Sequence, residues 1–328
     1  MILDTNIIMG NTKPMNKKID TIVNNIPRAC ADETAAVLFL EAQRWGDMPI
    51  CAHCESENVY QMKGRDGERN KRFLWRCKDC GKQYTVRVGT VFEDSRIPLR
   101  HWCYAFWAAC ASKKGVSALQ IKRQTQVTYK SALFMMHRIR FAMADEPGAP
   151  RPLTGTVEVD ETYVGGKPRH RGPQNPKKRG RGTDKPPVVA IVERNGDVRA
   201  AVVDKVNAKN LKRMIRENVD QSAKIMTDEA SFYKGLGKEF EGGHHTVVHS
   251  RGEYSRGDVT TNAVEGFFSI LKRGINGTFH SVSKKHLHRY VGEFAFRYNT
   301  RKITDGERVI TVIKKAEGKR LMYKAPAE

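Results

Sequence analysis

Two Cys-x-x-Cys pairs constrain the fold of this chain more than any other feature of its sequence. The first pair is CAHC at residues 51–54 and the second is CKDC at residues 77–80, with 22 residues between them. Two such pairs at this separation are typical of a tetrahedral zinc site; four unrelated reduced thiols are the alternative. Alternation in VYQMKG and RFLWRC indicates short strands between the pairs. The sequence therefore predicts a zinc ribbon with one structural Zn²⁺ held by Cys51, Cys54, Cys77 and Cys80, and with His53 at the surface.

The net charge indicates a polyanionic partner. The 328 residues include 58 Lys and Arg against 36 Asp and Glu, a formal charge of +22. Neutralising phosphates with release of counterions is the main sequence-independent source of affinity for nucleic acid, whereas a merely basic surface is the alternative. No apolar run approaches the roughly 20 residues of a membrane-spanning helix, and the N-terminus lacks a signal-peptide pattern. The other three of the seven cysteines are scattered, which fits a reducing cytoplasm.

Helical patterns dominate after the second cysteine pair. LRHWCYAFWAACAS predicts a core helix, and the stretch from Gly115 to Ala144 predicts a helix, a short turn and a longer helix. Ser117 and Thr128 are suitable N-caps for these two helices. This is the form of a helix-turn-helix, whose second helix would offer Tyr129, Lys130 and Arg138 to a DNA groove. Two packed helices without DNA contact are the alternative.

A series of strand and helix patterns begins at Thr156. TVEVDETYV, VVAIVE and VRAAVV read as strands, NAKNLKRMIRENV as a helix, and KIMT and HHTVV as further strands. The order strand, strand, strand, helix, strand, helix, strand, helix is that of a ribonuclease-H-like fold. The expected fold class is a multidomain α/β protein, with a zinc ribbon and a helix-turn-helix before a ribonuclease-H-like mixed sheet.

A basic insert lies between the first two of these strands. Residues 165–187 read GGKPRHRGPQNPKKRGRGTDKPP, a composition too rich in Gly, Pro and charge to form a packed core. The insert is either a solvated tether or an arm that closes on a phosphate backbone, and its charge favours the arm. The candidate DNA contacts on it are Lys177, Lys178, Arg179 and Arg181.

Two carboxylates follow the predicted strands. Asp160 shares a strand face with Glu158, whereas Glu161 points to the other face. A carboxylate in a buried central strand needs compensation, which a metal ion would provide; an edge strand with this face in water is the alternative. Asp228 ends the KIMT strand, where it is either a ligand beside Asp160 or a helix N-cap.

A third carboxylate lies on the helix predicted for TTNAVEGFFSILKRG. At 100° per residue, one narrow polar stripe carries Asn262, Glu265, Ser269 and Lys272, and the rest of the surface is apolar. The stripe is either a solvated face or, on a mostly buried helix, one side of a site. If Glu265 meets Asp160 and Asp228, the three can hold divalent ions for phosphoryl transfer.

Several motifs occur together in one order: the two cysteine pairs, GTVFEDSRIPLRHW, KKGVSALQIKRQ, VEVDETYVGGK, TDEASFY, NAVEGFFSILKRGINGTFH and SKKHLHRYVGEFAFRYNTR. Over residues 32–301 the chain thus resembles a bacterial insertion-sequence transposase of the DDE class, in the group whose ribonuclease-H-like catalytic domain follows an N-terminal zinc ribbon. Two departures are Ala52, where members often have Pro, and Thr260, where many have His before the Thr-Asn pair.

The resemblance implies the roles of the site residues. Asp160 and Asp228 correspond to the first two metal-binding carboxylates. The third is either Asn262 or Glu265. The spacing between Glu265 and Lys272 is that of the acid and Lys on a DDE helix, which favours Glu265. Lys272 and the following Arg273 would then bind DNA phosphate. Asn262 is then an auxiliary or orienting residue. Glu293 and Arg297 resemble the paired acid and base of the last family helix.

The resemblance also implies a function. Two Mg²⁺ ions per site, or Mn²⁺ in their place, would serve 3′-end cleavage and strand transfer of an insertion sequence. The DNA partner would be double-stranded, both as the terminal inverted repeats and as the target. The chain would act as a homodimer or a higher oligomer. It would be located in the cytoplasm, associated with the nucleoid. The alternatives are a structure-specific nuclease of the same fold and a DNA-binding regulator with an inactive catalytic domain.

Composition changes predict the domain boundaries. The expected segments are a loose leader or short helix (1–31), a helix plus zinc ribbon (32–95), the helix-turn-helix (96–146), a linker (147–155), the catalytic domain with its basic insert (156–305) and a C-terminal tail (306–328).

Overall fold

The computed structural model describes residues 25–145, 151–165, 183–248 and 255–322. Most of the basic insert, including Lys177, Lys178, Arg179 and Arg181, lies outside the described residues. The N-terminal elements are α1 (Glu33–Trp45), β1 (Val59–Gln61), β2 (Trp75–Cys77), β3 (Gln83–Tyr84), α2 (Leu99–Ala111), α3 (Ala118–Thr125) and α4 (Tyr129–Met143).

The three short strands form the antiparallel sheet of a zinc ribbon, which α1 holds in place. The sheet order is β1-β2-β3, and Val59 pairs with Cys77. Glu41 of α1 is 8% exposed and accepts hydrogen bonds from Trp75 Nε1 at 2.8 Å and from Arg69 Nη2 at 2.5 Å. Arg69 lies between β1 and β2, and its guanidinium is held in this contact with Glu41.

The helices after the ribbon confirm the predicted caps. Ser117 accepts from Gln120 N at the start of α3, and Thr128 accepts from Ser131 N at the start of α4. Because each hydroxyl satisfies a backbone N–H that the helix leaves without a partner, both helices begin where the sequence predicts. Buried aromatic side chains of α2, including Trp102 and Phe106, form the middle of this N-terminal core.

The C-terminal end of the chain returns to this core, and the tail predicted from residue 306 is corrected accordingly. Helix α8 (Asp305–Lys314) begins with a capping box at Thr304 and Glu307. Its apolar side chains Val309, Val312 and Ile313 are buried in the same cluster as α1 and α2. Helix α8 is therefore part of the N-terminal core.

The predicted leader and the predicted linker each contain residues that are buried in a core of the protein. Residues 25–31, within the predicted leader, are helical, and Ile26 and Ala29 are buried in the N-terminal core. Within the predicted linker, Leu153 is fully buried and forms a bridge with Val219. The described part of the linker thus belongs to the following sheet.

A five-stranded mixed sheet forms the second half of the chain. Its elements are β4 (Thr156–Tyr163), β5 (Pro187–Glu193), β6 (Val198–Val202), α5 (Ala208–Asn218), β7 (Lys224–Asp228), β8 (His244–Val247), the hairpin β9 (Ser255–Arg256) and β10 (Val259–Thr260), α6 (Asn262–Gly274) and α7 (Leu287–Asn299). The strand order is β6-β5-β4-β7-β8, with β4, β5 and β6 antiparallel and β7 and β8 parallel to β4. This topology is the ribonuclease-H-like fold expected from the sequence.

The element order differs from the prediction at one point. Between β7 and β8 the structure has two 3₁₀ turns, Ser231–Tyr233 and Leu236–Lys238, in place of the predicted helix. Gly235 lies between them with a φ of 89°, which interrupts a right-handed helix. A π-helical turn, Ile275–Phe279, extends α6, and a 3₁₀ turn, Lys284–His286, precedes α7.

Helices cover both faces of the sheet. Side chains of α5 pack with Val157 and Val159 on one face of β4. On the other face, α6 and α7 bury Val264, Phe267 and Phe294 against the sheet. Residues of β4 that alternate with Val157 and Val159 therefore face α6.

A buried ion network joins the two halves of the chain. Glu293 of α7 is fully buried and accepts hydrogen bonds from Arg140 Nε of α4 and from Arg297 Nη2, each at 2.6 Å. Burial alone would raise the pKa of Glu293, but the two guanidiniums hold that pKa below its usual value. Arg297 also donates to Ser112 O after α2. The helices of the N-terminal core are thus tied to α7.

No helix in the described ranges combines the length and the apolar character needed to cross a bilayer.

Candidate functional site

The four cysteines of the ribbon come together as a metal site. Their Sγ atoms all lie within 4.8 Å of one another, and the Cys51–Cys80 and Cys54–Cys77 pairs are each 3.7 Å apart. Zinc–sulfur bonds of about 2.3 Å in a tetrahedron place the sulfurs about 3.8 Å apart. The observed spacing fits Zn²⁺ in a four-thiolate site. His53 is exposed, as predicted, and lies outside this group.

Replacing one ligand should remove the metal. Cys54→Ser should lower the zinc content from about one ion per chain to about zero, because a structural site needs four ligands. Cys54 is exposed, so the substitution disturbs no packing. Atomic absorption on the purified protein measures the content, and Cys30→Ser, a cysteine outside the cluster, is the matched control. Equal zinc in the two variants would contradict the assignment.

The first two candidate carboxylates lie at the same edge of the sheet. Strands β4 and β7 are parallel, and Glu158 pairs with Met226. Two residues further along this register, Asp160 comes level with Asp228. Strand β7 ends at Asp228, whereas β4 continues to Tyr163. Asp228 accepts a hydrogen bond from Ala230 N in the turn that follows β7. Asp228 thus caps a turn, as its alternative reading suggests, while it lies beside Asp160.

The pKa of Asp160 depends on the charges of Asp228 and Glu265. The pKa of the Asp160 carboxyl is raised to about 7, chiefly by burial. A hydrogen bond from Glu161 N lowers this pKa, and the charges of Glu161, Asp228 and Glu265 contribute to raising it. Such coupling requires proximity, since interactions between charges decline with distance and screening. Asp228 and Glu265 therefore lie near Asp160. Glu161 faces away, where it accepts from Tyr233 Oη at 2.9 Å.

The polar stripe of α6 is at the surface of the helix, as predicted. Asn262, Glu265, Ser269 and Lys272 are all exposed, while Val264, Phe267, Phe268 and Leu271 are buried. Glu265 Oε1 accepts a hydrogen bond from Thr261 Oγ1 at 3.1 Å. The stripe is therefore open to a large ligand along the edge where the acids lie.

The three acids are less closely gathered than the cysteines. Among the described residues, the four cysteines are the only group of three or more ligating side chains at metal-binding spacing. Oxygen ligands of this kind suit hard divalent cations such as Mg²⁺.

A buried carboxylate beside this cluster was missed as a functional residue. Glu158 is 1% exposed and accepts from Ala263 N at 2.7 Å and Val264 N at 3.2 Å, the first amides of α6. Arg194 Nε, from the turn after β5, donates to its other oxygen at 2.7 Å. The strand pattern that places Glu158 on the face of Asp160 was the available signal, whereas nothing in the sequence indicated Arg194.

Among the groove-facing residues predicted on α4, one is corrected. Arg138 is 7% exposed, and its guanidinium donates to the carbonyl oxygens of Val91, Glu93 and Leu321. It is therefore a structural residue, unavailable to DNA. Tyr129 and Lys130, at the start of α4, are exposed.

Comparisons with known proteins agree with these two clusters. Residues 31–83 match a transposase zinc-ribbon domain and residues 152–299 match an ISXO2-like transposase domain. The chain is also similar to an uncharacterized protein in transposable element ISH50 of Halobacterium salinarum. The two are 29% identical over 295 residues, which cover 87% of this chain and 97% of that protein. The first matched segment contains the four cysteines, and the second contains Asp160, Asp228 and Glu265.

Proposed function

We propose that this chain, which matches a transposase zinc-ribbon domain and an ISXO2-like transposase domain, is a transposase that cuts and joins DNA at its carboxylate cluster. The observation that supports the proposal is geometric. Asp160 and Asp228 lie on the adjacent strands β4 and β7, and Glu158, on the same face as Asp160, accepts a hydrogen bond from the first turn of α6, the helix that carries Glu265. Asp160 is costly to ionise in its partly buried position, and a cation bound to the carboxylate would compensate this cost.

The proposed metal ligands are Asp160, Asp228 and Glu265. Mg²⁺ held by these residues supplies charge stabilisation at the phosphate that reacts. Glu265 is preferred over Asn262 as the third ligand because its carboxylate is charged and because its spacing to Lys272 is that of the acid and Lys on a DDE helix. Asn262 lies one helical turn earlier on the same stripe and is proposed as an orienting residue.

The proposed reaction has two phosphoryl transfers. In the first, water attacks the phosphorus at the end of the element and forms a new P–O bond while the P–O3′ bond breaks. The phosphate stays on the 5′ end of the flanking strand, and the leaving 3′-oxygen takes up the proton that the water loses and becomes a hydroxyl. In the second, that hydroxyl attacks a target phosphodiester, a new P–O3′ bond forms, and the target 3′-oxygen leaves with the proton. Each step exchanges one P–O bond for another, so no nucleotide cofactor is needed. The protein contributes alignment and charge stabilisation.

DNA contacts are proposed on three surfaces of the chain. Tyr129 and Lys130 on α4 would read or grip the terminal repeat, and the ribbon would contact it nearby. Lys272 and Arg273 of α6 would bind phosphate beside the acids, and Arg273 is held in place by Ser269 Oγ at 2.8 Å. Two element ends must be joined together, so the active form is proposed as at least a dimer.

A joining assay tests this function. The purified protein is incubated with Mg²⁺, a labelled duplex carrying the terminal inverted repeat of its element, and a supercoiled target plasmid. Covalent transfer of the label to the plasmid is the expected result. Cleaved ends without joined product would indicate a nuclease, and bound but uncut DNA would indicate a regulator; either result would overturn the proposal.

A further inference from the structure

Helix α6 starts without a cap of its own. Thr261 occupies the N-cap position, but its side chain accepts no hydrogen bond from the helix. The first amides of a helix have no partner within it, and a buried amide without a partner is costly. Thr261 is 2% exposed, so water does not serve this end.

Glu158 takes the place of the missing cap. Its Oε2 accepts from Ala263 N and Val264 N across a separation of more than 100 residues. A carboxylate at a helix N-terminus is favoured by both the hydrogen bonds and the helix dipole. The contact fixes the start of α6 two residues along β4 from Asp160.

Arg194 pairs with the charge of Glu158 and also binds Thr260, the residue before Thr261. It donates from Nε to Glu158 Oε1, and from Nη2 to Thr260 Oγ1 at 2.9 Å. Thr260 is therefore a structural acceptor at the position where many relatives were expected to have His. The ion pair leaves no buried charge uncompensated at this junction of β4, β10 and α6.

The cap by Glu158 releases the hydroxyl of Thr261 for another partner. Instead of accepting from its own helix, this hydroxyl donates to Glu265 Oε1 at 3.1 Å. A hydrogen bond to a ligating carboxylate orients it, and such supporting contacts affect metal affinity.

We propose that Glu158, Arg194 and Thr261 are positioning residues for the third carboxylate: Glu158, paired with Arg194, caps α6 from β4, and Thr261 thereby aims Glu265 at the metal ions. This inference rests on the proposed function, because it assumes that Glu265 binds the metal. None of the three positioning residues touches the DNA or the ions in this proposal.

A pair of substitutions at Thr261 tests the proposal. Thr261→Val keeps the buried shape and removes the hydroxyl, and Thr261→Ser keeps the hydroxyl. Mn²⁺ binding to the purified protein is followed by electron paramagnetic resonance of the free ion. Thr261→Val should weaken Mn²⁺ binding about 10-fold, the scale of losses at supporting contacts, and Thr261→Ser should restore it. DNA affinity and melting temperature should stay near the wild-type values.

A second pair separates positioning from simple helix capping. Glu33 caps α2 in the same way, accepting from Leu99 N at 2.8 Å and Arg100 N at 3.1 Å, far from the acids in sequence. Glu158→Gln and Glu33→Gln should both lower the melting temperature, and Glu158→Gln alone should weaken Mn²⁺ binding.

The outcomes are distinguishable. If the wild-type protein binds Mn²⁺ and joins DNA while Thr261→Val matches it, the positioning proposal is wrong and the proposed function stands. If the wild-type protein neither binds Mn²⁺ at Asp160 nor cuts DNA, both are overturned. Equal loss of Mn²⁺ affinity in Glu33→Gln and Glu158→Gln would also overturn the positioning role.

Discussion

Asp160→Asn should reduce Mg²⁺-dependent cleavage and joining on the order of 10³-fold. The substitution keeps the shape of the side chain and removes the charge that couples to Asp228 and Glu265. Charge stabilisation by bound metal is worth several kcal/mol, and each 1.36 kcal/mol changes the rate tenfold. Rates of end cleavage in the joining assay measure the effect. The matched control is Glu239→Gln, which removes one carboxylate from an exposed ion pair with Arg216; equal activity of the two variants would contradict the assignment.

A stability measurement on the same variant tests whether its fold is intact. Burial raises the pKa of Asp160 to about 7, whereas the unfolded value is about 3.9. Between these pH values the folded protein holds a proton that the unfolded chain has lost, so the stability of the metal-free protein falls as pH rises through this window. Asp160→Asn lacks this carboxyl. At pH 8 without metal, it should unfold at a higher urea concentration than the wild-type protein.

Glu293→Gln should lower the free energy of unfolding by about 3–5 kcal/mol, the usual cost of removing one partner from a buried ion pair. Arg140 and Arg297, which are 1% and 7% exposed at their side chains, would keep their charges without the carboxylate between them. Because the network joins α4 to α7, we expect the N-terminal core to be stabilised less by its contact with α7.

Urea denaturation followed by tryptophan fluorescence measures this loss. All four tryptophans lie between residues 45 and 107, so the signal reports on the N-terminal core. Glu239→Gln is again the control, since an exposed ion pair contributes at most about 1 kcal/mol. A midpoint for Glu293→Gln no lower than that of Glu239→Gln would show that the network does not support the N-terminal core.

Local signals predicted most of the elements. Ser117 and Thr128 are confirmed as caps because capping depends on residues three positions apart. The cysteine pairs likewise come together at zinc spacing, since each pair sits on its own turn. Strand patterns such as VVAIVE lead to the central, fully covered β5, where burial on both faces leaves an almost continuous apolar run.

Long-range packing explains what the sequence did not predict. The apolar stripe of α8 has the period of a helix, but its partners Phe39 and Leu40 lie more than 260 residues earlier. Arg138 has a polar side chain on a helix that was expected to face DNA. Its acceptors are backbone carbonyl oxygens in two distant loops, which no pattern along the chain reveals.

The candidate site was likewise predictable only in part, from local patterns but not from long-range contacts. Residue type and strand patterns indicated Asp160 and Asp228 as candidates, and helical periodicity indicated the stripe with Glu265; their roles stay predictions. Glu158 was visible as a neighbour on the face of Asp160, but its role depends on where α6 begins against β4. That contact joins residues 158 and 263, so only the folded chain shows that a strand carboxylate caps the helix.

Anomalous diffraction from crystals soaked in Mn²⁺ tests the central claim most directly. The account predicts anomalous density at the edge of β4 and β7, with the carboxylate oxygens of Asp160, Asp228 and Glu265 all in the coordination shell. Mn²⁺ bound elsewhere, or bound at Asp160 with Glu265 turned away in the presence of DNA, would contradict it.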